Sequence, residues 1–327
     1  MAELISVVVE RWPVAGSFVI SRGAKTHVDV VVCTVGDGEH VGRGEATPIY
    51  YKGEDAAGCA DAIHAFAARG AFDRLSLNAG MKAGAARNAL DCALWDMEAR
   101  AVGRPVWALA GLAEPAPMAT AFTISLGEPE DMATASARAA AAGYGLLKCK
   151  LTGEGDLDRV SAVRRGAPSV RLIVDANESW GELDIAAEAA AMAALGVELL
   201  EQPVPSAQDS ILRVVASPIP FFADESCQTA DDLDHLSMYQ AINIKLDKAG
   251  GLTEALRLAE GARARGQAIM VGCMLGTSLG IAPAAVLAQD ARWIDLDGAL
   301  LLAKDREEGW LASDGLLHPG RLWGVTV

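Results

Sequence analysis

Five segments between residues 146 and 245 end in a charged residue, in the order Lys, Asp, Glu, Asp, Lys. They are Leu146-Leu147-Lys148-Cys149-Lys150, Leu172-Ile173-Val174-Asp175, Leu199-Leu200-Glu201, Phe221-Phe222-Ala223-Asp224 and Ile242-Asn243-Ile244-Lys245. Asp175, Glu201 and Asp224 would supply only hard oxygen ligands, which suits Mg²⁺, with Mn²⁺ as a substitute. In Lys148-Cys149-Lys150 the alternation of a strand puts both lysines on one face, where mutual repulsion lowers the proton affinity of at least one. A metal between two lysine bases is suited to removing a proton α to a carboxylate. The metal holds the carboxylate and balances the charge that develops, one lysine takes the proton, and a lysine on the opposite face returns it with inverted stereochemistry. To work near neutrality a lysine must shift from about 10.4 toward about 7–8. Taken singly, Asp175 and Asp224 resemble helix caps and a lysine is most often a surface residue. Their joint occurrence at matching strand tips favours a site. Lys248, beyond the last tip, reads as structural and paired with Asp247.

Such a site needs a sheet whose strands all end on one rim. The apolar runs are those of parallel strands buried on both faces. Their charged tips recur at intervals of 25, 26, 23 and 21 residues, room for a strand, a loop and a returning helix. Pro129–Ala142, Leu183–Leu195, Ala230–Tyr239 and Leu252–Arg265 have helix-forming compositions, and Gly143 and Gly196 stand where helices end. Thr120–Ser125 reads as a first strand, and Gln267–Val271 and Arg292–Ile294 as the last two. The result is a (β/α)8-type barrel, an α/β fold that places its chemistry at the C-terminal strand ends. Strand seven is the thinnest, Ala268-Ile269-Met270-Val271 with no charged residue after it. On strand eight, Asp295-Leu296-Asp297 puts two carboxylates on one face, suited to a free α-ammonium group.

The first hundred residues have a different texture. Ile5–Glu10, Ser17–Ile20 and His27–Val35 read as strands, Gly36-Asp37-Gly38 as a hairpin turn, and Glu54–Ala68 and Ala83–Ala101 as helices. This is an α+β unit ahead of the barrel, with Gly111, Pro115 and Pro117 marking the boundary. The expected division is 1–112 for that unit, 113–302 for the barrel and 303–327 for a segment that packs back on the first unit. In Ser21-Arg22-Gly23, a loop between strands, Arg22 could take a second carboxylate bidentately.

A formal charge of −15 argues against nucleic acid, because no basic stripe is present to neutralise phosphates. An anionic substrate therefore needs a local positive site. The amino terminus lacks a signal-peptide pattern, and no apolar run is long enough to span a bilayer. Six cysteines without CxxC pairing read as reduced core thiols of a cytoplasmic protein. The sequence leaves open whether the chain forms a homo-oligomer.

The Lys-x-Lys pair, Val174-Asp175-Ala176-Asn177, Leu200-Glu201-Gln202-Pro203, Ala223-Asp224-Glu225-Ser226 and Asn243–Gly251 together resemble the enolase superfamily. A lysine on the sixth strand, with no His after the seventh, is similar to its muconate-lactonizing subgroup. The resemblance implies that Lys150 and Lys245 are the acid/base pair, that Lys148 supports Lys150, and that Asp175, Glu201 and Asp224 bind Mg²⁺. It also makes the first unit a capping domain over the barrel mouth. Asp295-Leu296-Asp297 resembles the dipeptide epimerases, which hold the substrate amine there. Arg22 is similar in position to the arginine that L-Ala-D/L-Glu epimerases use for the glutamate side chain, and Cys273-Met274-Leu275-Gly276-Thr277-Ser278 also resembles that group. The implied activity is Mg²⁺-dependent epimerisation of dipeptides, with L-Ala-D/L-Glu from peptidoglycan turnover as the leading substrate. The alternatives are another reaction of the subgroup, o-succinylbenzoate synthesis or N-acylamino-acid racemisation, and a non-catalytic barrel that binds a metal or ligand.

Overall fold

The computed structural model describes residues 1–324. An antiparallel sheet of β1 (Glu3–Ile20), β2 (Gly23–Gly36) and β3 (Val41–Ala46) opens the chain. Two separate strands were expected across β1, which instead runs unbroken with a register shift between Pro13 and Phe18. Pro13 has no N–H to give the ladder, so the shift falls where a rung is already missing. Helices α1 (Ala56–Ala67), α2 (Arg74–Gly80) and α3 (Ala85–Val102) follow. Asp55 caps α1 by accepting from Gly58 N, and Asp73 and Ser76 form a capping box on α2. Helix α3 lies directly on β3, because Gly44 has no Cβ, and one built there would stand 2.1 Å from Ala89 O.

After α4 (Val106–Leu109) and β4 (Met118–Ala119) the alternation begins: β5 (Phe122–Ile124), α5 (Pro129–Ala141), β6 (Leu146–Lys150), α6 (Asp156–Gly166), β7 (Arg171–Asp175), α7 (Ile185–Ala194), β8 (Val197–Glu201), β9 (Phe221–Ala223), β10 (Ala241–Lys245), α8 (Leu246–Ala249), α9 (Leu252–Ala264), β11 (Ala268–Gly272), α10 (Ser278–Leu287) and β12 (Trp293–Asp295). Strands β5 to β12 form one eight-stranded parallel sheet in sequence order. Ala121 N to Ile294 O, 2.7 Å, and Leu296 N to Thr120 Oγ1, 2.9 Å, join its two ends. The barrel is therefore present with its expected strand order, including strand seven.

Two of the returning segments are 3₁₀ turns, Ser206–Val214 and Ala230–His235. The helix expected over Ala230–Tyr239 thus stops early; beyond it Tyr239 is buried and its hydroxyl donates to Asp209 at 2.6 Å. Leu146, Ile173, Leu199, Phe222, Met270 and Trp293 fill the barrel floor. Alternation from Leu146 sends Lys148 and Lys150 up the same inner face, while Leu147 and Cys149 join the layer beneath the helices. The hairpin β13 (Leu311–Ser313) and β14 (Leu316–His318) pairs with β4, and Trp323 Nε1 donates to Cys92 O on α3 at 3.0 Å. Residues 325–327 of the expected terminal segment lie outside the described residues. All six cysteines are free, and five are buried. Among the described residues no helix is long and apolar enough to cross a membrane.

Candidate active site

Register places the charged tips at one level. Lys150 pairs with Asp175 and Asp175 with Glu201 across β6, β7 and β8, while Lys245, Gly272 and Asp295 align across β10, β11 and β12. Strands β6 and β10 stand on opposite sides of the eight-stranded order, so Lys150 and Lys245 face each other across the mouth. Between them, Asp175, Glu201 and Asp224 bring ligand oxygens within 4.8 Å of one another.

Each of these carboxylates is held. Asn177 N donates to Asp175 at 2.9 Å, and Asn243 Nδ2 donates to Glu201 Oε1 at 2.8 Å. Gly272 explains why strand seven ends without a side chain: a Cβ there would stand 2.6 Å from Asn243 Oδ1. Lys150 Nζ donates to Asp175 at 2.7 Å and Lys245 Nζ to Asp224 at 2.6 Å. Lys148 is 1 % exposed and lies 2.7 Å from Glu201, 2.8 Å from Asp295 and 3.2 Å from Asp175. Lys248 is buried as expected of a structural residue, but its partner is not Asp247. Its Nζ donates to Asp224 Oδ1 at 2.6 Å and also to the Asp224 and Asn243 carbonyls. Asp247 turns instead to the amino-terminal unit, accepting from Thr47 N and Asn88 Nδ2, each at 2.9 Å.

These contacts set the charges. Burial opposes ionisation of Asp175 and Asp224, but Lys150 and Lys148 beside the first, and Lys245 and Lys248 beside the second, outweigh it and hold both carboxyls below their usual range. Glu201 goes the other way: burial and then the charge of Asp175 push it up to about 8. Its Oε2 has no hydrogen-bond partner among the described residues, the Lys148 contact being an ion pair without hydrogen-bond alignment. Three buried carboxylates, one of them with an unpartnered oxygen, fit a hard cation that would relieve their crowding. Lys148 and Lys245 do not show the lowered proton affinity that repulsion alone would give. Burial lowers it for Lys148 and Lys245, but the surrounding carboxylates more than reverse this, Asp295 foremost for Lys148 and Asp224 for Lys245.

Asp295 and Asp297 both line the same cavity. Asp295 Oδ2 is taken by Lys148 while its Oδ1 is buried without a partner. Asp297 accepts from Thr123 N at 2.6 Å, and burial followed by the charge of Asp295 pushes its carboxyl up to about 7.

The amino-terminal unit closes the cavity. It docks through Asp247, through Arg87, which donates to the carbonyls of Gly250 at 3.0 Å and Ala249 at 2.6 Å, and through Glu45, which accepts from Thr277 N at 2.7 Å. The cavity is thereby lined from above by Phe18, Ile20, Lys25, Tyr50 and Tyr51. Arg22 also lines it, with both arms engaged: Nη1 donates to Glu225 at 2.7 Å and Nη2 to Glu178 at 2.6 Å. Lys25 and Tyr51 are among the lining residues that escaped the sequence reading. Lys25 sits over the Tyr50 ring, its Nζ 4.2 Å from the centroid, with no carboxylate partner among the described residues and its proton affinity lowered by burial. The Tyr51 hydroxyl is buried without a hydrogen-bond partner among the described residues. The spacing of Lys25 from Arg22 across Gly23 was the only available signal, and a lone lysine beside a turn is ordinarily solvated.

Comparison with known proteins agrees with this geometry. The model described as mandelate racemase / muconate lactonizing enzyme, N-terminal domain, matches residues 2–111, and the one described as enolase C-terminal domain-like matches residues 131–307. The L-Ala-D/L-Glu epimerase of Escherichia coli is 42% identical over 96% of this chain and 99% of its own length. An N-acetyl-D-glutamate racemase from a Pseudoalteromonas species is 41% identical over 90% of this chain and 95% of its own. Among solved structures, an enolase family member from Agrobacterium tumefaciens, described as having homology to dipeptide epimerases and bound to sodium and L-Ala-L-Glu, superposes with a TM-score of 0.95. It is 46% identical and covers 99% of this chain and 100% of that one.

Proposed function

The chain belongs to the mandelate racemase / muconate lactonizing enzyme family of the enolase superfamily, and on that premise we propose that it epimerises dipeptides at the α-carbon of their C-terminal residue. The observation that carries the proposal is the pair of lysines facing each other across three buried carboxylates under a closed cap. Lys150 and Lys245 are the two bases. One takes the α-proton from its face of the substrate, the planar intermediate is held in place, and the other delivers a proton from the opposite face. Lys148, fixed by three carboxylates, keeps a positive charge beside Lys150 and holds Asp295 in position. Asp175, Glu201 and Asp224 would hold Mg²⁺, which would supply positive charge to the substrate carboxylate as the α-proton leaves.

Specificity follows from the rest of the lining. Asp297 and the free Oδ1 of Asp295 offer negative charge to a substrate ammonium group. Among the described residues Lys25 is the cation in the lining that has no carboxylate partner, so it is the residue fitted to a glutamate side chain. L-Ala-D-Glu and L-Ala-L-Glu, as released from murein peptides, have both groups. The second reading, racemisation of an N-acylated amino acid, draws on the N-acetyl-D-glutamate racemase relative, but it leaves the Asp295 and Asp297 pair without an ammonium partner. Incubation of the protein with Mg²⁺ and separate free-amine and N-acetylated substrates in D₂O tests both. Deuterium at the α-carbon of L-Ala-L-Glu, read by mass spectrometry, is expected; label in N-acetyl-glutamate alone would select the second reading.

A further inference from the structure

Arg22 occupies the tip of the β1–β2 hairpin, where Ile20 pairs with Gly23 and Ser21-Arg22 makes the turn. Among the described residues, backbone contacts tie β1 to the barrel only up to Val19, whose carbonyl accepts from Leu126 N at 2.9 Å. Beyond that point the tip is held to the barrel by the Arg22 side chain. One arm reaches Glu225, after β9, and the other Glu178, after β7. The guanidinium face lies over the Tyr51 ring, 5.0 Å from its centroid.

The receiving side is set independently of Arg22. Glu178 and its predecessor Asn177 both adopt left-handed backbone, φ 69° and 44°, a conformation that non-glycine residues rarely take. It is held by Glu178 N donating to Gln202 O at 2.8 Å and by Ser206 N donating to the far carboxylate oxygen of Glu178 at 3.0 Å. Asn177 Nδ2 steadies Glu225 at 3.2 Å. Glu225 is 3 % exposed, and its second oxygen has no hydrogen-bond partner among the described residues. Diverting Arg22 to a substrate carboxylate would therefore strip its partner from a buried, under-satisfied carboxylate, which is costly.

We infer that Arg22 is a positioning residue, a latch that locks the hairpin tip onto Glu178 and Glu225 and so holds Lys25 over the cavity, rather than the cation that meets the substrate. This rests on the proposed function for its kinetic consequence but not for its structural one. Locking the tip serves every dipeptide alike, whereas Lys25 discriminates by side-chain charge.

The test combines hydrogen–deuterium exchange of the peptide spanning 17–27 with kinetics on L-Ala-L-Glu and L-Ala-L-Leu, for wild type, Arg22→Gln, Glu178→Gln and Lys25→Gln. Arg22→Gln and Glu178→Gln should each raise exchange in that peptide by roughly tenfold. Arg22→Gln should also raise KM for both dipeptides by factors within about threefold of each other, and Arg22→Lys should recover part of the loss. Lys25→Gln should keep wild-type exchange and lower kcat/KM for L-Ala-L-Glu about tenfold more than for L-Ala-L-Leu. Wild-type exchange in Arg22→Gln, or a loss confined to L-Ala-L-Glu, overturns the latch. If wild type turns over neither dipeptide, the proposed function fails while the exchange result still decides the latch; Glu178→Gln decides it if Arg22→Gln does not fold.

Discussion

Replacing Asp297 by Asn separates a dipeptide site from a site for N-acylated amino acids. The amide oxygen of Asn can still accept from Thr123 N, the 2.6 Å contact that Asp297 makes now, so the junction of β5 and β12 survives and the change is one of charge. Asp295 cannot take over fully, because one of its oxygens is already committed to Lys148 at 2.8 Å. Truncating one partner of a buried charge pair costs about 2–5 kcal/mol. At about 1.4 kcal/mol per factor of ten, kcat/KM for L-Ala-L-Glu should fall roughly 30- to 3,000-fold. N-acetyl-L-glutamate has no ammonium and should change by less than about threefold. The pH dependence supplies a second signature. Burial and the neighbouring Asp295 push Asp297 to about 7, so the carboxylate that pairs with ammonium is present above that pH and is lost as pH falls through it. Wild-type kcat/KM for L-Ala-L-Glu should therefore gain a rise near pH 7 that Asp297→Asn lacks, and the mutational penalty should shrink below about pH 6. Steady-state rates from pH 5.5 to 8.5 on both substrates read this. Equal losses on both, or identical pH profiles, would refute the role of the pair.

Dialysis against EDTA should abolish α-proton exchange, with Mg²⁺ restoring it and Mn²⁺ substituting; full turnover by metal-free protein would sink the assignment of Asp175, Glu201 and Asp224. Gly272→Ala should force Asn243 away from Glu201, since the added carbon would meet Asn243 Oδ1 at 2.6 Å, and titration should show Mg²⁺ affinity weakened by roughly tenfold or more without loss of far-UV signal. Asp247→Ala leaves Thr47 N and Asn88 Nδ2 buried without their acceptor, a cost of roughly 2–4 kcal/mol that should lower Tm by about 3–6 °C, while Asp247→Asn, which keeps an acceptor, should lose much less.

The barrel was legible because strands buried on both faces must run apolar, which leaves a charge at a strand end conspicuous. Lys150, Asp175, Glu201, Asp224 and Lys245 stood out for that reason, and the alternation of Lys148, Cys149 and Lys150 gave their directions. What failed to show depended on distance in sequence. Pairing Lys248 with its neighbour Asp247 was a local inference. The structure sends Lys248 back 24 residues to Asp224, and sends Asp247 back 200 residues to Thr47 and 159 to Asn88. The partners of Arg22 lie 156 and 203 residues away, so its engagement with Glu178 and Glu225 left no local trace. Lys25 acquires meaning only from Tyr50 beneath it and from the closure that puts both over the cavity. Breakers were readable, but their consequence was not: Pro13 interrupts the pattern of β1, and a register shift lets the strand continue.

The central claim is that Lys150 and Lys245 work on opposite faces of one α-carbon, and deuterium exchange by the two single alanine variants tests it directly. In D₂O with Mg²⁺, Lys245→Ala should exchange the α-proton of one of L-Ala-L-Glu and L-Ala-D-Glu, Lys150→Ala that of the other, and neither should interconvert the two. Epimerisation by either variant at a rate near that of wild type, or the same epimer exchanged by both, would contradict the two-base account.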